Sequence, residues 1–124
     1  MRKRTSLKLA AGLVTALALT FTISTYAADA PKKEESGKDL AFSKKKGNCL
    51  ACHAMPNVAG VESPGNIAPP LIAMKARFPD RAKLRAQIWD AMQANPNTSM
   101  PPFGKHKILT EEEIDKVTDF VHSL

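Results

Sequence analysis

Cys49-Leu50-Ala51-Cys52-His53 is the stretch on which the reading of this chain turns. Two thiols three positions apart, with an imidazole directly after the second, serve three kinds of chemistry. A structural zinc site needs two further ligands, usually a second Cys or His pair. The remaining histidines, His106 and His122, lie on different segments without pair spacing, and these are the chain's two cysteines. A thioredoxin-like redox disulfide calls for a strand–helix–strand setting, and no alternating pattern flanks the motif. The third reading is C-x-x-C-H attachment of haem. Both thiols become thioethers across the vinyl groups, and His53 falls beneath the iron as an axial ligand.

Working upstream, Leu40, Ala41 and Phe42 form the apolar side of a short helix starting at Asp39, with Lys44 to Lys46 facing solvent and Gly47 as its stop. Residues 28–38 (ADAPKKEESGK) read as a disordered lead-in. Before them, Arg2, Lys3, Arg4 and Lys8 precede an uncharged run from Leu9 to Ala28, with small residues at Thr25 and Ala27. Residues 1–27 are therefore read as a signal peptide cut after Ala27, which places the mature protein in the periplasm. An uncleaved signal would leave a membrane anchor instead. Removing the four basic residues of this segment takes the net charge from +6 to +2. The basic balance thus belongs to the export signal and does not point to nucleic acid, which needs a basic stripe on the folded domain.

Downstream, residues 54–69 contain three prolines, two glycines and two asparagines and predict an irregular loop. Leu71 to Phe78 predicts a short helix ending before Pro79. Asp80 is a candidate N-cap for the next helix, in which Leu84, Ile88, Ala91 and Met92 form a buried stripe and Asn95-Pro96 is the stop. Residues 95–109 make a second irregular loop. Thr110 and Glu113 form a capping box, and Ile114, Val117, Val121 and Leu124 the inner face of a final helix. The expected domain, residues 39–124, is all-α, with three to four helices around one covalently bound haem. Its large aromatics are few: Phe42, Phe78, Trp89, Phe103 and Phe120. In so small a domain, a porphyrin would supply the missing apolar volume.

For the second axial position, Met55 is too close to His53 to reach the opposite face, and Met74 and Met92 lie on predicted helices, where methionine is usually core filler. Met100 stands 47 residues after His53 in a loop stiffened by Pro101 and Pro102. It is the favoured ligand, with His106 as rival and an open position third. A Met/His pair raises the haem potential and leaves no place for a substrate. His53 also needs an acceptor for its other ring nitrogen, and the Pro69 carbonyl is the candidate. Arg77, Arg81 and Arg85 are candidates for pairing with propionates, as is the Trp89 N–H, and Lys44 to Lys46 could steer an acidic redox partner.

With the C-x-x-C-H run, the proline-leucine turn and the Met100-Pro101 loop ahead of a final helix, residues 47–121 resemble the class I c-type cytochromes. They are similar in particular to the SoxX family, the single-haem subunits of SoxAX complexes in bacterial sulfur oxidation. That likeness rests on Gly47-Asn48, on Pro64-Gly65-Asn66-Ile67-Ala68-Pro69-Pro70-Leu71 and on Asn95 to Gly104 (NPNTSMPPFG). Ala68 departs from the Gly that such cytochromes usually carry. The resemblance implies a heterodimer with a SoxA-like cytochrome subunit, where thiosulfate is oxidatively joined to a carrier-protein cysteine. The conjugating site would lie on the partner, with this chain passing electrons to a small soluble acceptor. Both thiols here would be consumed as thioethers, leaving no nucleophile. A free-standing periplasmic carrier feeding a terminal oxidase or reductase is the alternative.

Overall fold

A reciprocal pair of hydrogen bonds starts the first helix of the computed structural model, which describes residues 34–124. The Ser36 hydroxyl accepts from the Asp39 backbone N–H, and the Asp39 carboxylate accepts from Ser36 N–H. This capping box satisfies donors that the first turn would otherwise leave unpaired, so α1 spans Gly37–Phe42 and begins ahead of the expected Asp39. The end of the supposed disordered lead-in is engaged as well. Glu34 pairs with Lys116, and Glu35 pairs with Lys46, which also reaches Glu113. The signal peptide expected over residues 1–27, and the lead-in up to residue 33, lie outside the described residues.

Three further helices follow: α2 (Met74–Arg77), α3 (Arg81–Trp89) and α4 (Glu111–His122), with 3-10 turns at Cys49–Ala51 and Ala91–Gln93. Among the described residues there is no strand, in keeping with the all-α expectation. Asp80 caps α3 by accepting from Ala82 N–H at 2.8 Å. The stripe expected to run on through Met92 is cut short. Asp90 accepts from Met92 N–H and opens the 3-10 turn, which changes the direction of the chain. Ala91 stays buried, but Met92 turns outward and is 40% exposed.

Helix α4 organises the rest. Its inner face, Ile114, Val117 and Val121, is buried with Leu40 of α1 and Leu84 and Ile88 of α3. Helix α1 packs directly on it, and Gly37 makes the close approach possible, since a Cβ there would overlap the Lys116 carbonyl. On the α3 side, Arg81 pairs with Asp115 and Asp119, and Arg85 with Asp115 and Glu111. Thr110 and Glu113 form the expected capping box at the start of α4. Because both neighbouring helices depend on this one, Thr110→Ala is expected to cost about 1 kcal/mol of stability. Urea unfolding of the haem-loaded protein should show a lower midpoint with an unchanged slope; an unchanged midpoint would mean the cap contributes nothing.

Candidate haem site

The C-x-x-C-H run is held between two turns of chain. Gly47 N–H bonds back to Leu40 C=O at 3.1 Å, closing the end of α1. Asn48 then takes a left-handed conformation (φ 47°), which asparagine tolerates better than most residues. Cys49–Ala51 winds as a 3-10 turn, with His53 N–H bonded to Cys49 C=O at 2.9 Å. The following loop is laid along this segment. Gly65 N–H bonds to Leu50 C=O, Ala68 N–H to Cys52 C=O, and Leu71 N–H to Ala54 C=O, at 2.8, 3.0 and 2.8 Å. Gly65 lies so close to Ala51 that a Cβ would overlap its carbonyl.

That alignment sets the histidine. Pro69 C=O lies 2.7 Å from His53 Nδ1. A carbonyl can only accept, so Nδ1 carries the proton and donates. Nε2 is left with its lone pair free for a ligand.

Cys49, Cys52, His53, Pro69 and Met100 line a single cavity of about 810 Å³. Its walls are mainly aliphatic, from Leu71, Leu84, Ile88, Leu109, Val117 and Val121, together with Phe103. Burial pushes the Cys49 thiol up to about 11. The free thiol there is therefore uncharged at neutral pH. Among the described residues, no group of three or more His, Cys, Asp or Glu could hold a metal ion. Met100 reaches the wall from a loop in which its N–H bonds to Thr98 Oγ1 at 3.1 Å. Met55 and Met74 are buried elsewhere, Met92 faces outward, and His106 is exposed and away from the cavity.

Lys44, Lys46 and Arg77 are the charged residues on the lining, and no carboxylate joins them. Two of the arginines considered for propionates are placed elsewhere, since Arg81 and Arg85 are drawn to the carboxylates of α4. Trp89 is also off the cavity. Its ring lies against Gly104, under the Arg85 guanidinium, and so it is not positioned for a propionate. Sequence reading missed the parts played by Gly65 and Asp90. The Gly65 contact had no local signal, whereas Asp90, two residues before a backbone N–H that it accepts, carried a weak cap signal. The residues present fit a haem c. Two thiols sit on one turn beside a tautomer-fixed imidazole, and a thioether lines the same apolar cavity.

Comparison with known proteins agrees with this chemistry. A family model described as "Cytochrome C oxidase, cbb3-type, subunit III" matches residues 34–121. A chain of the crystal structure of SoxXA from P. pantotrophus superposes with a TM-score of 0.65 at 30% identity, covering 77% of this chain and 83% of that one. An uncharacterized lipoprotein of Aquifex aeolicus (strain VF5) is 34% identical over 79 residues, 63% of this chain. The match spans only 37% of the lipoprotein's own length. The resemblance to SoxX read from the sequence is thus supported in three dimensions. With the helical fold and the cavity described above, the chain belongs to the family of cbb3-type cytochrome c oxidase subunit III, a c-type cytochrome domain whose cofactor is haem c.

Proposed function

We propose that the chain is a monohaem electron-transfer subunit working outside the cytoplasm, paired with a SoxA-like cytochrome that conjugates thiosulfate to a carrier-protein cysteine. When bound, haem c supplies reversible one-electron exchange. Cys49 and Cys52 hold it through thioethers. His53, oriented by Pro69, would offer Nε2 to the haem iron, and Met100 would offer its thioether. The aliphatic walls favour an apolar macrocycle, and Lys44 and Arg77 are placed to meet carboxylates, whereas Lys46 is already engaged by Glu35 and Glu113. With both ligands drawn from this chain, the iron would have no position left for a substrate. The conjugation itself forms a sulfur–sulfur bond and releases the thiol proton and two electrons, and it belongs to the partner. The observation that carries the reading is the His53 Nδ1–Pro69 C=O contact on a cavity that Met100 also lines. Among the described residues, no helix is long and apolar enough to cross a membrane.

The oxidase name of the matching family favours the other reading, a carrier that serves a terminal oxidase. One experiment separates the two. Affinity purification of the chain from the periplasm of a thiosulfate-grown cell is expected to bring down a second haem protein. Thiosulfate plus the carrier protein should then reduce the haem of this chain. A monomer that thiosulfate leaves oxidised would refute the subunit reading and leave the lone carrier.

A further inference from the structure

The loop that brings Met100 to the cavity is closed at its base by groups that do not touch the cavity. Trp89 C=O accepts from both Gly104 N–H (3.1 Å) and Lys105 N–H (3.4 Å), so the chain leaves α3 and returns to the same point. Gly104 lies flat on the Trp89 indole, where any Cβ would overlap the ring. One residue further on at each end, Lys105 Nζ meets the Asp90 carboxylate at 3.0 Å. Asp90 is only 4% exposed, whereas Lys105 is half-exposed.

A buried carboxylate is costly unless its charge is matched. Its remaining side-chain bonds go to Met92 N–H (3.2 Å) and Gln93 Nε2 (3.0 Å), at the start of the same loop. The hydrogen bonds from Gln93 and then Lys105 lower the pKa of the acid from its ordinary carboxylate value. Every side-chain partner of Asp90 thus belongs to this loop or its closing end, and none to the α1–α4 packing. A buried ion used in this way serves the loop.

We propose that the Asp90–Lys105 pair is a positioning latch, which keeps the 91–104 loop shut and so holds Met100 at the cavity. The inference rests on Met100 being an axial ligand. Opening the latch leaves Asp90 without its cation and raises the fraction of time that the loop, and Met100 with it, swings away. Neither latch residue is a ligand, so the effect appears in how readily Met100 yields its place to an added ligand.

Uptake of imidazole by the oxidised, haem-loaded protein measures that step, followed by loss of the methionine-to-ferric-iron charge-transfer band. Lys105→Met is expected to speed uptake about fivefold, the effect of losing one charge-assisted, partly solvated hydrogen bond. Asp90→Asn should act in the same direction, and Lys105→Arg should restore the parent rate. Lys116→Met, which loosens the α1–α4 staple, is the control: it lowers the unfolding midpoint and leaves uptake unchanged. Lys105 is half-exposed, so its replacement leaves the fold intact. Uptake by Lys105→Met no faster than by the parent or the control would overturn the latch alone. A parent protein without the charge-transfer band would overturn the Met100 assignment, and the latch with it.

Discussion

Replacing Cys49 and Cys52 together by serine, so that no porphyrin can be attached, is expected to abolish cooperative folding. The cavity they line measures about 810 Å³. At about 24 cal/mol per Å³ of unfilled core, a sealed void of that size would cost on the order of 19 kcal/mol, an upper bound for a cavity that solvent can enter. A domain of this size has only about 5–15 kcal/mol of net stability to lose. Water entering the space lowers that figure but leaves an apolar wall wet instead of packed, and Leu84, Ile88, Val117 and Val121 of that wall also belong to the core. Either way the balance fails. The double variant should show reduced far-ultraviolet helicity, no sigmoidal thermal transition and no added porphyrin mass. A sharp melt of the porphyrin-free chain would mean that the helices carry the fold unaided.

Met100→Ala should change the redox chemistry more than the stability. The thioether is the one sulfur ligand available on the lining once both thiols are spent, and a Met/His pair holds the potential high. Its loss is expected to lower the midpoint potential by on the order of 0.1–0.3 V, a modest part of the range that axial ligation spans. The charge-transfer band should vanish, and the exposed position should bind cyanide or imidazole without competition. His106 offers no substitute, being exposed and away from the cavity. A redox titration and an absorption spectrum decide the matter. An unaltered potential with an intact band would remove Met100 from the site.

These two expectations draw on different kinds of legibility. The attachment motif is local: its residues are consecutive and their chemistry depends on that spacing, so a single stretch of chain carries it. The helical class was also readable, because α4 announces itself with a capping box and an apolar stripe at helical period. The partner of His53 was reachable because prolines leave few conformations for the segment that must supply an acceptor. What could not be read depended either on a local competition between two caps or on distant packing. Met92 fits the stripe of α3 on paper, and only the competing bond from Asp90 ends the helix before it. Arg81 and Arg85 look like free cations until α4 brings Asp115, Asp119 and Glu111 alongside. The capping box of Ser36 and Asp39 starts α1 inside the segment read from its composition as a lead-in.

The packing of α1 on α4 also has a consequence in time. Glu34 finds its lysine 82 residues later in the chain, and Lys46 meets Glu113 across 67. A ribosome or translocase releases the amino end first, so α1 has no surface to dock on until α4 has emerged. A six-residue helix is too short to persist alone. The segment carrying the two cysteines therefore stays open until α4 forms, and closure of the domain waits on that helix.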